Sequence, residues 1–205
     1  MIHSSPFTQT GNDLRELDSR KADKHELYTA AALRVVNEMR DTGVIGRYAI
    51  GGAVAATFYI EPTSTFDIDI FISFGGDSEN PIAASIEAMG RIYKFLRDNN
   101  YKEENGYALI AGWGVQFLPA EDNLLKEALE HSVETEIGGV KTWIMSAEHL
   151  MAIALRTNRP KDLIRLEQFV RYNKFSESKL NDILGRAGLV EKWNRFNEKY
   201  IEVAA

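Results

Sequence analysis

The sequence predicts an α/β protein of the α+β kind, in which helices flank a mixed β-sheet and a helical region follows. Strict apolar alternation at 66–72 is typical of a strand with two different faces. Apolar residues recur at helical spacing on both sides of that strand. From residue 146 onward every predicted element is helical. We therefore expect an α/β core at residues 1–145, including an N-terminal helix, and a C-terminal helical region at residues 146–205 packed on it.

The segment before the alternating strand predicts a helix, a short strand and a second helix. The first helix starts near Asn12, ends before Gly43 and carries an apolar stripe of Tyr28, Ala32, Val35, Val36 and Met39. A strand at 47–50 runs directly into two glycines, and an apolar helix is expected at 53–60. This part of the chain is therefore a strand, a tight glycine turn and a helix.

The segment after the alternating strand predicts one long helix and two hairpins. Pro81 suits the first turn of a helix whose apolar stripe consists of Ile82, Ile86, Met89, Tyr93 and Leu96. Short glycine-containing connections predict two hairpins, from strands at 107–111 and 115–118 and from strands at 134–137 and 140–145. A short helix at 123–131 separates them, and four helices follow at 146–157, 160–172, 176–184 and 189–201.

The composition excludes several classes of protein. The 205 residues are 44% hydrophobic and 26% charged, unlike disordered, collagen-like or coiled-coil chains. A net charge of −6 gives no overall basic field, so a nucleic-acid partner would need a local patch. The lack of cysteine excludes a thiolate metal site and a cysteine nucleophile. Because no export signal or membrane-spanning run is evident, we expect a cytoplasmic protein without a membrane partner.

Two motifs carry candidate chemistry. Side chains alternate along a strand, so Asp67 and Asp69 share one face and lie roughly 6.6 Å apart at the backbone. Two such carboxylates can converge on a hard cation, although a solvated acidic face is the ordinary alternative. Gly51 and Gly52 permit a tight turn whose backbone can approach phosphate oxygens. Together the motifs supply both parts of a metal–nucleotide site.

These residues resemble the signature of the nucleotidyltransferase superfamily of the polymerase-beta type. The strings GGAVAATFYI at 51–60 and TSTFDIDI at 63–70 carry the resemblance, which is strongest to the AbiEii-type group. A second motif of that group is similar to the segment RPKD at 159–162. The resemblance extends over residues 45 to 172, and it implies a nucleotidyltransferase-type sheet.

The resemblance implies a role for each motif. The phosphates of a nucleoside triphosphate would lie on Gly51 and Gly52, and Mg²⁺ would be held by Asp67 and Asp69. Transfer of the nucleoside monophosphate would release pyrophosphate. Arg159 and Lys161 would contact phosphates, whereas the simpler interpretation is a capped and charged helix start.

One candidate catalytic position departs from the superfamily pattern. The superfamily usually supplies a third carboxylate from a neighbouring strand, and here that position is Gln116. An amide ligates Mg²⁺ weakly and accepts no proton at neutral pH. Glu121 or Asp122 would replace it if the following loop folded back. Arg165 is a second departure, because the related group often has an acid there.

Three functions remain open at this stage. The first is an Mg²⁺-dependent nucleotidyltransferase whose acceptor is RNA, a protein or a small molecule, with an antitoxin-like protein partner implied by the resemblance. An RNA acceptor would bind the most basic stretch, at 156–171. The second is an enzyme of the antibiotic-modifying kind, and the third is a nucleotide-binding module without catalysis. The four histidines show no metal-ligand spacing and are interpreted as structural or exposed.

Overall fold

The structure is a computed structural model that describes residues 11–62, 64–73 and 81–200. Within these residues the elements are α1 (Gly11–Asp41), β1 (Tyr48–Ile50), α2 (Gly52–Ala56), β2 (Asp67–Ile72), α3 (Pro81–Asp98), β3 (Lys102–Glu104), β4 (Tyr107–Ile110), β5 (Trp113–Pro119), α4 (Asn123–Glu130), β6 (Val133–Ile137), β7 (Val140–Ile144), α5 (Ala147–Thr157), α6 (Pro160–Tyr172), α7 (Glu177–Arg186) and α8 (Val190–Tyr200).

All seven strands form one mixed sheet in the order β3-β4-β5-β2-β1-β7-β6. β2 pairs in parallel with β5, and β1 pairs in parallel with β7. The other neighbours are antiparallel, including the two predicted hairpins β4–β5 and β6–β7. A mixed sheet flanked by helices confirms the predicted fold class.

β2 lies at the centre of this sheet, and its apolar and acidic side chains project from opposite faces. Ile68, Ile70 and Ile72 are buried, whereas Asp67 and Asp69 are half-buried on the opposite face. The strand begins one residue later than expected. Phe66, which the alternation assigned to the apolar face, lies before the strand and is 88% exposed. The centre of the sheet therefore presents both acids on one face.

The helices bury the remaining faces in one hydrophobic core. α1 packs across β4, β5, β6 and β7 with Leu33, Val36 and Met39 fully buried. α5 packs on α2, α4, α6 and α7. Its residues Leu150 and Met151 join the same buried cluster as the sheet. The core thus includes side chains from both halves of the chain, and none of the helices among the described residues is long and apolar enough to span a membrane.

Several local predictions were wrong at the level of single residues. The helix expected at 53–60 ends at Ala56, where the Thr57 hydroxyl donates to the Val54 carbonyl and the chain enters turns. Tyr28 and Ile86 lie on the solvent side of their helices rather than in the apolar stripes. β3 was missed because its three residues are polar and exposed, which gives no alternation to detect.

Candidate functional site

The acid pair lines a cavity beside the central strand. Asp67 and Asp69 face it from β2, and the Thr65 hydroxyl donates a hydrogen bond to Asp67 Oδ1. Burial, and then the negative charge of Asp67, raises the pKa of Asp69, while three nearby cations act in the opposite direction. A positive charge that enters the site would stabilise the ionised form of both carboxylates.

The glycine turn lies directly against Asp69. The Gly51 backbone N–H donates to the Asp69 carbonyl at 2.9 Å, which holds the turn beside β2. Gly52 has φ +57°, and a Cβ at this position would overlap the Asp69 carboxylate oxygen Oδ2. A Cβ at Gly51 would lie 2.5 Å from the Phe71 ring. Only glycine fits this close approach of the turn to the acidic strand.

The start of α6 supplies the opposite wall of the cavity. Arg159, Lys161 and Arg165 all line it and act electrostatically on Asp69. Arg159 was expected near phosphates, and its backbone N–H also donates to Asp162 Oδ2 at 3.3 Å, which caps the start of α6 as in the simpler interpretation. Arg165 had been counted as a departure from the family pattern. It contributes a third cation, because position 165 falls on the same face of α6 as position 161.

Asp162 fixes the positions of these cations. Its side chain is 1% exposed and accepts from Arg159 Nε at 2.6 Å and from the Thr157 hydroxyl at 2.7 Å. Arg165 Nη1 lies 3.6 Å from the other carboxylate oxygen of Asp162, Oδ1. Burial acts to raise the pKa of Asp162, but these hydrogen bonds outweigh it and hold the pKa below its ordinary value. The carboxylate is therefore ionised at neutral pH.

The complete cavity has a volume of about 280 Å³ and joins the two charged walls. The lining residues are Ala53, Ser64, Thr65, Asp67, Asp69, Arg159, Lys161, Ile164, Arg165 and Gln168. Carboxylate oxygens on one wall are the ligands that Mg²⁺ prefers, and guanidinium and ammonium groups on the other are phosphate donors. The arrangement can hold a divalent cation and a polyphosphate together.

Gln116 lies beside the acid pair on the neighbouring strand. β5 pairs in parallel with β2, and in this register Gln116 is directly opposite Asp69. Residues paired in this way project from the same face of a sheet, so Gln116 shares the face of Asp67 and Asp69. Its side chain is half-buried, and it is not among the residues that line the cavity.

The two alternative acids after β5 have other partners. Asp122 caps α4 by accepting from the Leu125 N–H at 2.9 Å, and it pairs with Arg156 at 2.7 Å. Glu121 accepts a hydrogen bond from the Ser85 hydroxyl at 3.0 Å. Neither lines the cavity, so the structure gives no support to either of them as a third carboxylate.

A second group of chemically capable residues was missed by the sequence analysis. Glu127, His131 and His149 bring three potential ligand atoms within 4.8 Å of one another. The histidines are far apart in sequence, so no motif spacing signals their contact. His149 lies near a helix start, as expected, and its side chain is buried.

Comparison with solved structures shows the fold of nucleotidyltransferase-like proteins. An antigenic nucleotidyltransferase-like protein from Paracoccidioides brasiliensis matches with a TM-score of 0.50 and 15% identity, covering 85% of this chain and 91% of that chain. The antibiotic-resistance factor ANT(2'')-Ia matches with a TM-score of 0.51 and 15% identity, covering 84% of this chain and 97% of that chain.

Sequence comparison adds no closer relative. No protein-family model matches the chain. No curated protein matches it either.

Proposed function

We propose that this protein is an Mg²⁺-dependent nucleotidyltransferase, which moves a nucleoside monophosphate from a nucleoside triphosphate to an acceptor. The observation that supports this most directly is one cavity with two acids on β2 and three cations on α6. The similarity of the fold to nucleotidyltransferase-like proteins agrees with it. Binding the metal and the triphosphate together would balance the charge on both walls.

Asp67 and Asp69 fit the metal in this proposal. Both offer carboxylate oxygens on one face of β2. Burial, and then the charge of Asp67, raises the pKa of Asp69, and a bound cation would stabilise its ionised form. When bound, Mg²⁺ supplies positive charge against the triphosphate and the leaving pyrophosphate. The acids therefore serve as its ligands.

The remaining residues bind and orient the triphosphate. Lys161, Arg159 and Arg165 would bind phosphate oxygens, with the two arginines held in place by Asp162. The turn at Gly51 and Gly52 would let the phosphates approach the backbone beside Asp69. About 280 Å³ is just below the range of typical small-molecule pockets, so the sugar and base would extend beyond the cavity.

The acceptor is proposed from the resemblances. The motif resemblance to the AbiEii-type group implies an antitoxin-like protein partner and leaves RNA, a protein or a small molecule as the acceptor. The basic residues Arg156, Arg159, Lys161, Arg165 and Arg171 would bind RNA. The structural likeness to an antibiotic-resistance factor favours a small molecule instead. The domain organisation proposed for either case is the α/β core at 1–145 with the helical region at 146–205.

The test is to measure binding and turnover on one sample of the full chain. Calorimetric titration with each of the four nucleoside triphosphates should show saturable binding with Mg²⁺ and none with EDTA. Pyrophosphate release should then appear when bulk RNA, a protein mixture or an aminoglycoside set supplies the acceptor. Failure of every triphosphate to bind with Mg²⁺ present would contradict the proposal.

Gln116 supports the second candidate, a nucleotide-binding module without catalysis. A neutral amide directly opposite Asp69 cannot act as the base that deprotonates an attacking hydroxyl. Binding of a triphosphate without pyrophosphate release from any acceptor would favour this module.

Gln116→Asp is expected to increase both metal affinity and transfer rate. The new carboxylate would lie on the face of Asp67 and Asp69, where it adds a charged ligand and a base worth roughly a hundredfold in rate. Pyrophosphate release and Mg²⁺ titration measure the two effects. Gln168→Glu is the matched control, because it adds the same charge from the α6 side of the cavity and should give no such gain. A slower Gln116→Asp enzyme would show that another group is the base.

A further inference from the structure

The three residues missed by the sequence analysis lie where two helices meet. Glu127 is on α4, His131 directly follows that helix, and His149 is in the first turn of α5. His131 is exposed, Glu127 is half-buried and His149 is 3% exposed. The two imidazole rings stack with their centroids 6.0 Å apart. None of the three lines the cavity beside Asp67.

His149 Nε2 is buried without a hydrogen-bond partner. Glu127 Oε1 lies 3.5 Å from it, which is too long for a good hydrogen bond. A polar atom left unpaired in the interior is unusual, because it has lost its water without gaining a partner. The atom points toward the carboxylate, so a small ligand between the two groups would satisfy both.

The tautomers of both rings leave their Nε2 atoms available as ligands. His131 Nδ1 lies 3.1 Å from the Glu127 backbone carbonyl, which only accepts, so Nδ1 carries the proton. His149 Nδ1 lies 2.9 Å from the Ser146 hydroxyl oxygen, which can accept a hydrogen bond from a protonated Nδ1. Histidines that bind metals usually donate their other ring N–H to such a partner.

We propose that Glu127, His131 and His149 form a binding site for a divalent transition metal ion of the Zn²⁺ class. Zinc bonds of about 2.0–2.1 Å at tetrahedral angles separate ligand atoms by about 3.3–3.5 Å. The distance from Glu127 Oε1 to His149 Nε2 is 3.5 Å, which matches this value. One ligand atom from each of the three residues lies within 4.8 Å of those from the other two. Two imidazoles favour Zn²⁺ over Mg²⁺ at this site.

Neighbouring charges are compatible with the metal. Arg186 forms a two-point ion pair with Glu127 at 2.6 and 3.2 Å. A carboxylate that binds a metal commonly accepts a further hydrogen bond, and Glu127 has lone pairs for both. The buried acid Glu148 accepts from the Ser176 N–H at 2.8 Å, at the start of α7.

The metal would cross-link the end of α4 to the start of α5. The chain between His131 and His149 contains β6 and β7, so the metal closes a loop around the hairpin at one edge of the sheet. Closing a loop in this way restricts the unfolded chain and stabilises the fold. The three protein ligands leave a fourth coordination position for water.

The test is a calorimetric Zn²⁺ titration of the full chain, without a polyhistidine tag and after treatment with EDTA. The wild type should bind one Zn²⁺ per chain, and His131→Gln and His149→Gln should each lose at least about tenfold in affinity. His131 is at the surface, so His131→Gln tests the site even if His149→Gln does not fold. His25→Gln is the matched control, because His25 packs on Trp113 outside the cluster and its loss should change nothing.

Thermal unfolding supplies the second measurement. Zn²⁺ should raise the melting temperature of the wild type and of His25→Gln but not of His131→Gln. In Asp67→Asn, whose acid pair is disrupted, Zn²⁺ should still raise it and equal Mg²⁺ should not. Asp67→Asn should leave the Zn²⁺ isotherm unchanged, which separates this site from the acid pair. A wild type that binds no Zn²⁺, equal binding in His131→Gln, or loss of binding in Asp67→Asn would overturn the proposal.

Discussion

Asp69→Asn is expected to abolish Mg²⁺-dependent binding of a nucleoside triphosphate while leaving the protein folded, and Asp67→Asn is expected to do the same. Loss of an outer-shell partner of a metal typically costs 10- to 100-fold in affinity, so loss of a ligand should cost about a hundredfold or more. Calorimetry with Mg²⁺ present measures the change. Asp98→Asn is the matched control, because it makes the same substitution on exposed α3.

Stability distinguishes a lost ligand from a damaged fold. Burial and the charge of Asp67 raise the pKa of Asp69 in the folded protein. A carboxyl with a raised pKa destabilises the fold when ionised, so its penalty is present at neutral pH and is relieved as pH falls through that pKa. The Asp69→Asn protein should therefore unfold in urea at pH 7 at a concentration equal to or above that of the wild type. Unchanged triphosphate affinity in a folded Asp69→Asn protein would contradict the site assignment.

Gly52→Val is expected to abolish triphosphate binding and to destabilise the protein. Two effects combine: a β-branched residue is strained at φ +57°, and its Cβ would overlap the Asp69 carboxylate. The overlap would displace Asp69 from its position opposite Gln116. Calorimetric titration and urea unfolding measure the two losses.

Gly43→Val separates the two effects. Gly43 has φ +75° but no atom within 4 Å of the position of a Cβ, so this variant carries the backbone strain without the overlap. Strain alone should cost about 1–2 kcal/mol and leave triphosphate affinity intact. Normal triphosphate binding by Gly52→Val would place the phosphates away from this turn.

Local patterns predicted most of the elements but not how they meet. Alternation assigned Asp67 and Asp69 to one strand face, and glycine pairs indicated the hairpins, because both signals arise from neighbours in sequence. The parallel pairing of β2 with β5 depends on the whole core. The sequence therefore predicts Gln116 beside the acid pair only if these two strands are neighbours. Phe66 shows the limit of alternation, because its pattern is apolar but its position is exposed.

The candidate site was predicted unevenly for the same reason. Arg159 and Lys161 were found through a motif, whereas Arg165 was treated as a departure although it lines the same cavity. A single charged residue in a helical sequence does not show whether its side chain faces solvent or a cavity in the folded protein. His131 and His149 were treated as unrelated, since contact between two helix ends leaves no spacing in the sequence.

The order of the elements along the chain has a consequence for how the cavity forms. Its acidic wall comes from β2 and its cationic wall from α6, and the five strands from β3 to β7, with three hairpin turns, lie between them in sequence. Bringing such distant segments together costs loop-closure entropy before any contact repays it. A nascent chain synthesised only as far as β5 contains Asp67 and Asp69 but not yet the three cations of α6. The cavity thus exists only after α6 has been synthesised and lies opposite β2.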